Sequence, residues 1–283
     1  MAFRIIADSS CDIFDLDRKI DGLYFNTVPF VITVDGRDFV DDDKLDVKEL
    51  VEAMAVSSKS HTSCPSPADW IREFGEEGDV FALTISSNLS GSYNSATLAL
   101  EDFAEENPDV RGCVIDTLTA GPEIALLIDK LEALIAEGLD FDTIKEKICE
   151  YKNTTHLLFC LESMTNLANN GRISHATAKM AGLLGIRAIG KASLEGTLEM
   201  VSKVRGSDKA TAELFDQMKA HGYCGGRVRI HHCQNEAAAT ALKARIAESY
   251  PAAEVIIETT GALCSFYAEC GGFLIGYEGA PKN

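Results

Sequence analysis

Short, dense apolar runs punctuate the first half of the chain at residues 3–7, 29–34, 80–85 and 110–115, each rich in Ile, Val, Leu or Phe and apolar at both alternating positions. Strands covered on both faces read this way, and buried parallel strands are the commonest example. Between these runs the apolar spacing lengthens to the helical period. Ser66 followed by Pro67 places an N-cap and a first-turn proline ahead of Trp70, Ile71 and Phe74. Gly91 opens a second helical pattern that reaches Asn107, where Pro108 stops it. Ile124, Leu127, Ile128, Leu131, Leu134 and Ile135 form one apolar stripe closed by Gly138. Alternation of strands and helices predicts an α/β/α sandwich with a mainly parallel sheet.

The pattern changes after about Asn153. Residues 155–160, 186–189, 198–204, 227–231, 254–257 and 273–277 are strand-like, with long helical patterns only at 209–220 and 236–249. This is the pattern of a mixed α+β unit. Val34-Asp35-Gly36-Arg37 and Leu194-Glu195-Gly196-Thr197 read as tight hairpin turns. At 283 residues the chain is long enough for two cores. With no internal repeat and no low-complexity linker, the pattern predicts two intimately joined lobes, 1–153 and 154–283, rather than separate beads.

Hydrophobic residues at 46% and charged residues at 25% are ordinary globular values and predict an independently folding chain. The first residues run straight into a strand pattern rather than a signal peptide, and no apolar run reaches the ~18 residues of a membrane span. The expectation is a cytoplasmic protein with no integral membrane segment. Nine cysteines, an odd number scattered without a secretory pattern, read as reduced thiols, with Cys11, Cys113, Cys160 and Cys233 as small core residues. The formal net charge of −18 opposes nucleic acid and anionic lipid surfaces as non-specific partners. An anionic ligand needs local donors to overcome that field.

Three hydroxyl-rich segments offer such donors: Asp8-Ser9-Ser10-Cys11-Asp12, Thr62-Ser63-Cys64-Pro65-Ser66-Pro67 and Ser86-Ser87-Asn88-Leu89-Ser90-Gly91-Ser92. The first and third follow apolar strands at the carboxyl end, where open α/β sheets place ligands. The second and third lead into helices, whose unpaired N–H groups and dipoles attract anions. The alternative is that Ser66 and Ser90 only cap helices.

These segments resemble the DegV family across essentially the whole chain. The motifs are Asp-Ser-Ser-x-Asp at 8–12, Thr-Ser-x-Pro-Ser at 62–66, Ser-Ser-x-Leu-Ser-Gly at 86–91, Gly-Arg-Ile-Ser at 171–174 and Lys-Val-Arg-Gly at 203–206, in the family's order. The resemblance implies an α/β/α amino-terminal lobe, a mixed second lobe, and a long-chain fatty acid held between them without a further cofactor. It also implies an acyl carrier rather than an enzyme in its own right. Some members present the lipid carboxylate to the separate ATP-binding subunit of a bacterial fatty-acid kinase. By matching positions, Thr62 and Ser90 donate to the carboxylate, Ser63 and Gly91 shape the same loop ends, and Arg172 and Arg205 lie where an acyl phosphate or the kinase sits. An arginine fork suits phosphate. The family's His-x-Gly-Pro-Gly loop is replaced here by Tyr267-Ala268-Glu269-Cys270-Gly271, so Tyr267 takes the histidine's place. A phenol, with an ordinary pKa of about 10, donates a hydrogen bond but does not relay protons near neutrality.

Candidate walls for the acyl chain are the apolar residues of 157–161 and 180–189 and those around 273–275. Other signals are weaker. Gly185-Ile186-Arg187-Ala188-Ile189-Gly190-Lys191 imitates a phosphate loop, but Ala192 stands where Ser or Thr is required and the interior reads as a strand. His231, His232 and Cys233 suggest a metal, yet His231 and His232 face opposite ways on a strand. Asp41-Asp42-Asp43 reads as a solvated turn, and Asp8 and Asp12 as loop-shaping acceptors rather than an acid–base pair. Two rivals to the carrier reading are a hydrolase or transferase using Ser90 as nucleophile, against which the missing Gly-x-Ser-x-Gly elbow speaks, and a lipid-sensing interaction protein.

Overall fold

The computed structural model describes residues 2–16, 18–75, 77–179 and 185–282. In chain order the first half contains β1 (Phe3–Asp8), β2 (Leu23–Val28), β3 (Val31–Val34), β4 (Arg37–Val40), α1 (Val47–Val56), β5 (Ser60–Ser63), α2 (Pro67–Phe74), β6 (Asp79–Thr84), α3 (Ser92–Glu106), β7 (Gly112–Asp116), α4 (Pro122–Ala136) and α5 (Phe141–Lys152). The second half contains β8 (Thr155–Leu161), α6 (Thr165–Asn169), α7 (His175–Ala178), β9 (Ile186–Ala192), β10 (Leu198–Arg205), α8 (Ser207–Ala220), β11 (Val228–His232), α9 (Glu236–Ser249), β12 (Val255–Thr259), α10 (Ala262–Ala268) and β13 (Phe273–Glu278).

The expected parallel sheet is present, in the order β2-β1-β6-β7. Its strand order reverses at β1, which has β2 on one side and β6 on the other. The carboxyl ends of β1 and β6 therefore flank the crevice in which such sheets hold ligands. The run at 29–34 does not join this sheet. Asp35 and Gly36 both take positive φ, 48° and 85°, and turn the chain back so that β3 pairs antiparallel with β4 and then with β5. A parallel neighbour would have needed a long crossover.

The second sheet is mixed, in the order β10-β9-β8-β13-β11-β12. Between the two sheets lies α4, whose stripe residues Ile124, Leu127, Ile128 and Leu131 are fully buried in one continuous core with Phe3, Phe81, Leu157 and Leu274. On the outer face of the first sheet, α2 and α3 bury Trp70, Phe74 and Phe103 against Ile6, Val80 and Ala82. On the outer face of the second, α8 and α9 bury Leu214, Met218 and Leu242 against Leu158, Phe273 and Ile275. Two-residue alternation sorts β8: Leu157, Phe159 and Leu161 face the central core, whereas Leu158 and Cys160 face α8 and α9.

The helix starts follow the expected chemistry. Ser66 and Asp69 form a complete capping box on α2, and the Asp140 carboxylate accepts from Asp142 and Thr143 N–H at the start of α5. The hairpin between β9 and β10 turns at Leu194–Thr197 as expected. Its tip rests on the loop after β6, where Asn88 Nδ2 donates to Glu195 O at 2.7 Å. Cys11, Cys113, Cys160 and Cys233 are buried in the core. Among the described residues, no helix is long and apolar enough to cross a membrane.

Candidate functional site: an apolar channel with hydroxyls at its mouth

An apolar channel opens between the small β3-β4-β5 sheet, the loop after β6, the inner face of β8, and α10. It is a narrow slot, with a cavity volume of about 70 Å³. Its apolar lining includes Phe30, Ile85, Leu157, Phe159, Leu161, Leu263 and Leu274, all buried. Thr62, Ser90, Arg172 and Tyr267 also line it, and all four are half-buried. The polar atoms are thus gathered where the channel meets solvent.

Thr62 stands on β5 rather than in a loop, opposite Ile32 of β3. Its Oγ1 lies 2.9 Å from the Tyr267 hydroxyl of α10. One of the two oxygens donates to the other, which leaves a hydroxyl hydrogen to aim into the mouth. Burial pushes the Tyr267 phenol above its ordinary value, against the Thr62 bond and the charge of Arg172. It therefore stays neutral across physiological pH. The Arg172 guanidinium lies 5.7 Å from the centre of the Tyr267 ring, and its Nε donates to Leu89 O at 3.1 Å. The same arginine thereby braces the loop that carries Ser90.

Ser90 Oγ accepts from Ser92 N–H at 3.2 Å, a loop-shaping bond; among the described residues no imidazole is bonded to it. Asp8 fixes this loop from below. Its Oδ2 accepts from Ile85 N–H at 2.9 Å and from Ser92 Oγ at 2.7 Å, and its Oδ1 accepts from Ser10 Oγ. Burial raises the Asp8 carboxyl to about 6, against these hydrogen bonds. The first hydroxyl segment consequently supports the site without lining it. Ser9 and Ser10 are fully buried, with Ser9 Oγ accepting from Phe30 N–H at 3.0 Å. Ser63 and Gly91 are exposed beside Thr62 and Ser90 and do not line the channel. Arg205 is exposed at the end of β10 and is also outside the lining.

One sequence expectation is corrected around α10. Asp41 is not part of a solvated turn. It is 1% exposed, and its two oxygens accept from Ala262 N–H at 2.6 Å and Leu263 N–H at 3.1 Å, so it holds the first turn of the helix that carries Tyr267. Burial first, then the neighbouring Asp12, raises its carboxyl to about 7. Glu269, on the far side of α10, turns away from the channel and accepts from Asn166 N–H at 3.0 Å in α6.

Asp12 and Asp8 serve separate loops, as expected of acceptors rather than a catalytic pair. Asp12 accepts from Gly261 N–H at 2.9 Å and meets His231 Nδ1 at 3.0 Å. His231 Nε2 lies 3.2 Å from Glu258, near enough for charge attraction but not aligned as a hydrogen bond. Burial opposes the charged ring, but the Asp12 bond and the charges of Asp12 and Glu258 outweigh it and raise the His231 pKa. Next on the same strand, Arg229 makes a two-pronged bond to Asp129 of α4, at 2.7 and 2.9 Å. Among the described residues there is no cluster of three or more His, Cys, Asp or Glu suited to a metal.

The phosphate-loop imitation is resolved by packing. Residues 186–192 form β9, and a Cβ on Gly190 would lie 2.2 Å from Phe159 Cζ, so that glycine makes room for a ring of the channel wall. Of the expected wall segments, 157–161 contributes Leu157, Phe159 and Leu161, and 273–275 contributes Leu274. Residues 180–184 lie outside the described residues, and 185–189 do not line the channel. Leu89, Leu198, Leu263, Cys264 and Ala268 line it without having been singled out. Gly261 before the apolar run 262–268 was the available signal for the last three.

Two sheets sharing a central helix layer, with an apolar channel and neutral hydroxyls in its lining, define a distinct class of α/β protein. The chain belongs to the DegV family: the family model described as "Uncharacterised protein, DegV family" matches residues 2–278. A DegV domain-containing protein of Streptococcus pneumoniae is 44% identical over 279 residues, 98% of this chain and 99% of its own. Among solved structures, the S. pneumoniae Fatty Acid Kinase (Fak) B3 protein loaded with linoleic acid superposes with a TM-score of 0.97 at 43% identity, covering 99% of this chain and 100% of its own. A DegV family protein from Eubacterium eligens loaded with heptadecanoic acid gives 0.95 at 38% identity, covering 99% and 100%.

Proposed function

We propose that this chain holds one long-chain fatty acid, with its carboxylate at Thr62, Ser90 and Tyr267 and its acyl chain in the channel, and presents it to a separate ATP-dependent kinase subunit. In this reading the lobes 1–153 and 154–283 supply the two sides of the site, and no further cofactor takes part. The observation that carries it is the segregation of the lining: polar atoms at the mouth, hydrocarbon along the rest. The two lipid-loaded relatives, with almost the same backbone, support it.

The energetics agree. A buried methylene gains about 0.8 kcal/mol, so ten of them contribute roughly 8 kcal/mol before ordering costs. The head group needs only orientation and satisfied hydrogen bonds. Neutral hydroxyls supply these without a second buried charge. Arg172 flanks the mouth with the fork geometry that suits a carboxyl turning into an acyl phosphate. The neutral Tyr267 phenol can orient that group. It leaves proton transfer to the partner.

Native mass spectrometry of protein purified from cells is expected to show the added mass of one fatty acid. A bare-chain mass that stays unchanged after exposure to oleate or palmitate would sink the reading. Incubation of the loaded protein with a cognate kinase subunit and ATP is expected to yield acyl phosphate; a pure lipid sensor would yield none.

A further inference from the structure

Leu157 lines the acyl channel and, among the described residues, is the one side chain that also lines a second, polar cavity behind it. The channel runs along β8. Leu161 marks its mouth end, because α6, which follows, docks on α10 beside Tyr267 through Asn166 Nδ2 donating to Phe266 O at 2.9 Å. Phe159 and Leu157 follow on the same face. At ~3.4 Å per residue, Leu157 lies roughly 13 Å deeper than Leu161. It is the far wall, one side chain thick.

The cavity beyond carries charged groups that the channel lacks. It is lined by Glu123, His156, Lys191, Tyr277 and Lys282, among others. Glu123 is fully buried, and its carboxylate accepts from Thr119 Oγ1 at 2.5 Å, Thr155 Oγ1 at 2.8 Å and Lys282 Nζ at 2.8 Å. The backbone around Leu157 cannot swing aside. Its partner across the sheet is Gly276, where a Cβ would lie 2.5 Å from the Pro122 and Glu123 backbone, so the first turn of α4 presses directly on β13.

We infer that Leu157 is the stop that sets the longest acyl chain the channel accepts, by separating the lipid tail from the polar cavity that holds Glu123. The inference rests on the fatty-acid reading above. Each methylene that fits gains about fourfold in affinity. A carbon beyond Leu157 meets the pinned carboxylate and its donors and gains nothing. The affinity therefore climbs with chain length and then stops, and the side chain at 157 fixes where.

The test uses the full chain after lipid exchange, incubated with an equimolar series of saturated acids in even-carbon steps from laurate to arachidate and read by native mass spectrometry. Leu157→Ala is expected to move the most strongly retained acid at least one step longer, and Leu157→Phe one step shorter. Leu157→Val should give a smaller shift in the same direction as Leu157→Ala, which keeps the test open if the alanine variant does not fold. Thr62→Ala should weaken retention of every length alike, leaving the optimum in place. An optimum that is the same in all folded 157 variants, or that also moves in Thr62→Ala, overturns the stop. A wild-type chain that retains none of the acids overturns the carrier reading, and the stop with it.

Discussion

Thr62 and Tyr267 come from strands and helices far apart in sequence yet sit 2.9 Å apart, so each sets the other's hydroxyl direction. A hydrogen bond to a charged group contributes about 1.5–3 kcal/mol. Thr62→Ala or Tyr267→Phe should therefore weaken fatty-acid binding roughly 10- to 150-fold. The double variant should lose less than the sum, because either single change already frees the surviving hydroxyl to rotate. Dissociation constants for the four proteins check this, and strict additivity would show that the two groups act independently. At the same scale, sequence reading placed Thr62, Ser90, Arg172 and Tyr267 at one site. It misplaced Asp41, because three consecutive aspartates look solvated until the unpaired N–H groups of an unanticipated helix are found beside them.

Gly190 is the point where one strand yields to another's side chain. Adding a methyl there meets Phe159 Cζ and also the Glu199 carbonyl, 2.5 Å away. Gly190→Ala should destabilise the protein by about 1–3 kcal/mol, since strand backbone cannot retreat from its neighbour. It should also reduce lipid retention by pushing the Phe159 ring into the channel. Ser66→Ala, which breaks the capping box on α2, should cost about 1 kcal/mol and leave retention unchanged. Denaturation midpoints together with retained lipid separate the two. The elements legible in advance were those with a strong apolar pattern or cap: β1, β6 and β7 of the parallel sheet, the six strands of the second sheet, α2, α3, α4, α8 and α9, whereas β2 was not anticipated. The elements that carry Thr62 and Tyr267 were not. β5 reads Ser-His-Thr-Ser and offers no apolar signal, while α10 reads Ala-Leu-Cys-Ser-Phe-Tyr-Ala and is buried almost all round, so no amphipathic stripe exists to detect. Pairing with β3 and packing between lobes decide them instead.

Across the whole molecule, buried ionisable groups join the two sheets and set the response to acid. Arg229→Met removes the two-pronged bond to Asp129, 9% exposed, which keeps Arg227 at 3.3 Å, and should cost about 1.5–3 kcal/mol. The folded values of Asp8, about 6, and Asp41, about 7, stand above an unfolded value near 3.9. Their contribution to stability is fully present below about pH 4 and is lost as pH rises through 6 and 7. His231, also raised, contributes in the same direction: its share is present below about 6.5 and lost as pH climbs through the folded value. Self-repulsion of an 18-fold negative chain adds to the loss at high pH. The urea midpoint should therefore be higher at pH 5.5 than at pH 8; the reverse order would mean these carboxyls are ionised at little cost. The position of Trp70 bears on how such curves are recorded. It is the chain's sole indole, sealed between α2 and the outer face of the first sheet, with the whole sheet between it and the lipid channel. Intrinsic fluorescence will follow unfolding faithfully while staying dark to cargo, so loading must be watched through a labelled lipid or through mass.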